Sequence, residues 1–136
     1  MFRWMACGIA LVMIAWCTSA VQAGADVVMH GKTQAGGKIS LGCHDTILPG
    51  VGASVVGGGK VTTPNGQDHH IAITGGVYSK TAATLFGVMD GNRPFKIVGT
   101  VGTNGNGVIT MTLYAPIGQP PATPSVSVAR GTVTTK

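Results

Sequence analysis

From residue 95 to residue 114 the chain alternates apolar and polar side chains twice, with a turn between the two runs. Phe95, Ile97, Gly99 and Val101 alternate with Lys96, Val98 and Thr100. Asn104-Gly105-Asn106-Gly107 follows, and Ile109, Met111 and Leu113 then alternate with Thr110, Thr112 and Tyr114. A period of two places one set of side chains on each face of a strand. Asn and Gly accept the left-handed backbone that a tight reversal requires. This stretch therefore folds as a β-hairpin with one buried face, and its partners must be strands that cover that face.

The rest of the chain supplies such partners. Residues 26–31 read as a first strand, with Val27 and Met29 on one face and Val28 and His30 on the other. Residues 38–41 read as a second, after Gly36-Gly37. Residues 42–59 read as a glycine-rich connecting stretch with one apolar piece at 53–56. Residues 60–63 are extended up to the turn Pro64-Asn65-Gly66. Ile71 and Ile73 mark a half-buried strand, and residues 83–89 mark another that ends at Asp90-Gly91-Asn92. Residues 126–134 alternate weakly as a terminal strand or tail. No stretch after residue 24 carries a helical period, and Val, Thr and Gly favour strands and turns. About eight short strands joined by turns predict a small antiparallel β-sandwich, immunoglobulin-like or pilin-like. Its expected core is Ile71, Ile73, Phe86, Val88, Phe95, Ile97, Val101, Ile109, Met111 and Leu113.

The N-terminus has a different character. Arg3 precedes an apolar run from Trp4 to Cys17, and small and polar residues lead to Val21-Gln22-Ala23. That order is a secretory signal, with cleavage expected after Ala23. The run is shorter than the ~20 residues that span a bilayer as a helix. A retained anchor is the alternative, and Trp16 before Cys17 argues against a lipoprotein. The expected organisation is a signal peptide at 1–23, a sandwich domain at 24–114, a Pro-rich linker or loop at 115–125 and a terminal segment at 126–136. The expected location is outside the cytoplasm, in the periplasm, at the cell surface or beyond it. Membrane contact is expected only through the uncleaved signal.

Composition narrows function by exclusion. The formal net charge is +5, yet the cations after the signal are scattered through the sequence and not interleaved with aromatics. A nucleic-acid partner is therefore not expected. The sequence contains no Glu, which removes the zinc-protease helix motif. Asp26 stands where the phosphate-binding loop ending at Gly31-Lys32-Thr33 needs its first glycine. Ser54 lacks the second glycine of a nucleophile elbow. No acid and base pair is visible, so the chain is expected not to be an enzyme and to need no cofactor. Cys43-His44-Asp45 and Asp68-His69-His70 bring thiol, imidazole and carboxylate groups into two short segments. Cys43, His44, His69 and His70 are accordingly candidate ligands for Zn or Cu, although no zinc-type spacing is present. Cys43 is the lone cysteine after the signal, so no internal disulfide forms there.

Between residues 41 and 99 a series of strand and turn motifs runs in order. It begins with Leu41-Gly42 and Pro49-Gly50, followed by the run from Gly57-Gly58-Gly59-Lys60 to Pro64-Asn65-Gly66. Thr74-Gly75-Gly76-Val77 and Thr81-Ala82-Ala83-Thr84-Leu85-Phe86-Gly87-Val88 complete it. In this series the chain resembles a family of small secreted bacterial proteins, domain of unknown function 4402. Its start, Ala25-Asp26-Val27 with Gly31-Lys32, also loosely resembles chaperone-usher pilins. The resemblance implies an exported structural or adhesive surface subunit, fimbrial in type, whose partners are copies of itself or other surface subunits. Assembly would proceed by strand addition. Asp26, Val27, Val28, Met29 and His30 are the expected donor strand, with residues 126–134 as the alternative. A periplasmic metal-binding module is the competing expectation.

Overall fold

The computed structural model describes residues 26–48 and 52–136; the expected signal peptide at 1–23 lies outside the described residues. Alternation and turn chemistry produce eight strands: β1 (Val27–Thr33), β2 (Lys38–Leu48), β3 (Gly52–Thr62), β4 (Asp68–Tyr78), β5 (Ala82–Met89), β6 (Arg93–Thr100), β7 (Gly107–Leu113) and β8 (Ser125–Thr135). The reversals occur where the sequence places Gly, Asp and Asn. Asp90 and Gly91 both have positive φ, 52° and 77°, as a hairpin turn that matches strand twist requires. A 3-10 turn at Thr103–Gly105 joins β6 to β7, with Asn104 left-handed at φ 55°.

Each strand pairs antiparallel with the next, and β8 returns to pair with β1, so the sheet is a closed barrel. The expected sandwich is therefore corrected to an up-and-down barrel. The closing register sets Val27 opposite Thr135 and Thr33 opposite Ala129. Local alternation tells most strands which face to bury. It does not say whether the faces meet across two sheets or around one. That choice rests on the β1–β8 pairing, between the two ends of the domain. The expected terminal segment is accordingly a wall strand.

Closure also changes the standing of the expected donor strand. Val27, Val28, Met29 and His30 belong to β1, which is hydrogen-bonded on one side to β2 and on the other to β8. Asp26 precedes it, with its N–H donating to the Cys43 carbonyl. Strand addition requires an open edge, and β1 has none.

Inward side chains fill the barrel with apolar groups. Val27, Met29, Leu41, Leu85, Ile97 and Ile109 are among the most deeply buried, and no polar or charged side chain is buried among the described residues. Outward positions carry Lys, His, Ser and Thr alongside Val. Transmembrane barrels have the reverse polarity, with an apolar exterior and a polar lumen.

Two parts of the wall differ from expectation. The glycine-rich stretch 42–59 is not a connection: it forms most of two long paired strands, β2 and β3. Glycine is needed in β3 because the strands press together; a Cβ on Gly59 would lie 2.1 Å from the Ser40 carbonyl oxygen. In β5 both faces carry apolar residues, and the larger Phe86 and Val88 were expected inside. The buried set is instead Ala83, Leu85 and Met89, while Phe86 is 47% exposed. Gly87 decides this, since only a residue without a side chain fits beneath the Phe95 ring at that point. Val101 and Leu113, also expected in the core, are partly buried and pack against it.

The two ends of the barrel are unlike each other. At one end Asp45 accepts a hydrogen bond from the Tyr78 hydroxyl at 2.7 Å, and its own backbone N–H donates to Asp26 Oδ2 at 2.9 Å. These contacts tie β2 and β4 together where the chain enters the barrel. The turns at 34–37, 63–67 and 90–92 and the Pro-rich segment 114–124 ring the other end. That segment is fastened to the β5–β6 turn: the Tyr114 N–H donates to the Pro94 carbonyl at 3.0 Å and the Ile117 N–H to the Asn92 carbonyl at 2.8 Å.

Candidate functional site at the barrel mouth

The end ringed by these turns opens into a cavity of about 510 Å³. Its bed is apolar, formed by Ile39, Val61, Met89, Ile109, Met111 and Leu113. The barrel core runs out there because the last inward positions of several strands are polar. Arg93 continues the inward series of Phe95 and Ile97 on β6, and His69 continues that of Ile71 and Ile73 on β4. Ser125 and Ser127 continue the inward series of Ala129 and Val133 on β8. All four line the cavity.

The β8 segment is inverted in polarity. Its serines stand opposite the inward Met111 and Leu113 and its valines hold the other parity; all four residues are exposed, Val126 62% and Val128 48%, and Val128 also lines the cavity. Elsewhere on β8 the pattern is conventional, with Ala129 and Val133 buried. Exposing two valines to direct two hydroxyls inward opposes the hydrophobic effect.

Arg93 and His69 are both held in place. The Arg93 Nε–H donates to the Tyr114 carbonyl at 2.9 Å, so the Pro-rich segment fixes the guanidinium. His69 Nδ1 lies 2.6 Å from Asp90 Oδ2, and the His70 backbone N–H donates to Asp90 Oδ1 at 3.2 Å. The His69 bond, aided by the His70 N–H, holds the Asp90 carboxyl below the usual carboxylate range. An ionised Asp90 accepts only, so Nδ1 carries the hydrogen and Nε2 is left as the second polar atom of the ring. Asp68, also at this end, accepts from the Thr62 hydroxyl at 2.8 Å and pairs with Lys60 at 3.5 Å.

The residues singled out as metal ligands do not converge. Cys43 points into the core and is 1% exposed. His44, the next residue on β2, points out. His69 reaches the mouth, while His70 beside it points out opposite Lys60. His69 shares a rung with Val61 and Ile39, four residues along β2 from Cys43, or roughly 13 Å. Among the described residues no group of three or more His, Cys, Asp or Glu could hold a metal ion. Of the sequence candidates only His69 belongs to the mouth. Arg93, Ser125 and Ser127 were not among them. The signal for the two serines was present as Ser125-Val126-Ser127-Val128, whose parity opposes that of Ala129 and Val133.

Burial, and then the charges of Asp26 and Asp45, push the Cys43 thiol up to about 11. It stays protonated and enclosed at neutral pH, which suits neither metal binding nor nucleophilic attack. Two results follow. A thiol reagent at pH 8 labels the folded protein at least about 100-fold more slowly than the urea-unfolded chain. Stability is full below the unfolded thiol's ordinary value of 9.0 and falls as pH rises through the folded value. The loss is on the order of 1–2 kcal/mol once solvent screening is allowed for. Tyr78, held up to about 12 by its bond to Asp45, adds a loss of the same sign above the ordinary phenol range. Urea midpoints from pH 8 to 11 test this, and Cys43→Ala should flatten the decline between pH 9 and 10. A wild-type midpoint that stayed level across that range would contradict the buried, protonated thiol.

No family model, no curated protein and no solved structure matches the chain.

Proposed function

We propose that this chain is an exported binding protein that takes a small, largely apolar molecule into the mouth of its barrel. The observation that carries the reading is the cavity itself: about 510 Å³, floored by core side chains and rimmed by a few fixed polar groups. Ligand pockets of small molecules have this size and this division between apolar bed and polar orienting groups. The export part of the reading rests on the charged, apolar and small-residue order of the first 23 residues. Binding in this reading is driven by covering the half-buried Val61 and Leu113, beneath which Ile39, Met89 and Met111 are buried.

A neutral naphthylamine dye that fluoresces in apolar surroundings tests it. The mature protein should bind the dye with micromolar affinity. Ser127→Trp places an indole at an exposed inner position of the mouth and should weaken binding at least about tenfold, without lowering the melting temperature by more than a few degrees. Dye binding equal in the two proteins would place the apolar surface elsewhere and overturn the assignment.

A further inference from the structure

We infer that the ligand of the mouth is an amphiphile with an anionic head, a carboxylate at the end of an apolar chain or ring. This rests on the binding function proposed above and names the ligand class for that site.

Three observations converge on it. Arg93 occupies an inward position at the rim, and among the described residues its one side-chain hydrogen bond uses Nε. The planar fork of Nη1 and Nη2 is left to serve a bidentate acceptor. Among the described residues no carboxylate takes that place. Among the described residues the ion pairs are Lys60 with Asp68 and His69 with Asp90, so both acids at this end are already engaged. Lys38 also lines the rim and is cationic, but it stands on the outward parity of β2, one residue before the inward Ile39. The inverted segment of β8 adds Ser125 and Ser127, whose hydroxyls can donate to an anion and whose inward placement leaves two valines exposed. A neutral apolar ligand would leave the polar wall unpaired. A cation would meet the Arg93 guanidinium. An anion with an apolar body satisfies both the bed and the rim.

Calorimetric titration with three ten-carbon probes, each below its micellar concentration, separates the possibilities: decanoate, decanol and decylammonium. Wild-type protein should bind decanoate about tenfold tighter than decanol, with decylammonium weakest. Arg93→Gln should bring decanoate down to the level of decanol and leave decanol unchanged. Arg93→Lys should keep part of the preference. The three-probe comparison on wild-type protein needs no variant, so it stands if Arg93→Gln fails to fold. Decanol or decylammonium binding as tightly as decanoate would overturn the anionic assignment and leave the apolar mouth intact, provided Ser127→Trp still weakens binding of all three at least about tenfold. No binding of any probe, with no dye binding, would overturn the mouth as a site altogether.

Discussion

A Gly87→Val variant loses the cooperative thermal transition of the wild type. A Cβ at this position would lie 1.8 Å from the Ala72 carbonyl oxygen and 2.8 Å from the Phe95 ring. The first contact is with backbone of the neighbouring strand, so no side chain can turn aside to relieve it. β4 and β5 must separate, or Phe95 must leave the core. Overpacking of a core usually costs 1–3 kcal/mol, and displacing a paired strand raises this to more than about 4 kcal/mol. Against a total stability of roughly 5–15 kcal/mol, that is enough to leave much of the protein unfolded at 37 °C. Gly75→Ala is the control. Its Cβ meets nothing within 4 Å and its φ is not left-handed, so it should stay within about 0.5 kcal/mol of wild type. Calorimetry on the pair reads both. A Gly87→Val protein that melts like wild type would show that β4 and β5 do not approach as described.

Leu85→Ala destabilises far more than Phe86→Ala, although phenylalanine is the larger side chain. Leu85 is fully buried, while Phe86 stands outside the barrel opposite Lys96. Removing three carbons from a buried leucine leaves a cavity and costs about 2–5 kcal/mol. Truncating an exposed phenylalanine should cost less than about 1 kcal/mol. Urea denaturation of both variants measures the difference. The reverse order would mean that β5 presents its other face to the core, and with it that Gly87 points outward.

This comparison also marks where local pattern stops being informative. In β6 and β7 the two faces differ sharply, Phe95 and Ile97 against Lys96, and Ile109 and Met111 against Thr110 and Thr112. The inward set could be read from hydropathy alone, and the structure buries it. In β5 the faces are Ala83, Leu85, Gly87 and Met89 on one side and Thr84, Phe86 and Val88 on the other. Hydropathy favours the second set by size. Packing favours the first, because a neighbouring strand and the Phe95 ring take up the space a side chain would need at 87. The run Gly57-Gly58-Gly59 misleads for the same reason. Three glycines in a row suggest a loop, yet Gly57 and Gly59 let β3 lie close against β2.

The candidate site was legible in one residue, His69, and hidden in the others. Arg93 follows a turn signal and looks like a solvated cation until β6 is seen to carry it inward. Ser125 and Ser127 follow a proline-rich stretch and resemble a linker until β8 is seen to pair them with Leu113 and Met111 of β7. Conversely, Cys43, His44 and His70 have the right chemistry for metal but are distributed by strand alternation between the core, the outer surface and two different levels of the wall.

Residue order along the chain settles where most segments extend and reverse, the glycine-rich parts of β2 and β3 excepted, since backbone preferences of Val, Thr, Gly, Asn and Asp act over a few residues and need no distant partner. It also settles the buried face wherever the two faces differ in hydropathy. The pairing of β1 with β8, and so a barrel in place of a sandwich, depends on contacts between the two ends of the domain. The inner face of β5 depends on space left by β4 and β6, and the mouth depends on four strands ending at one level. These are properties of distance and volume between remote residues, and local preference carries no information about them.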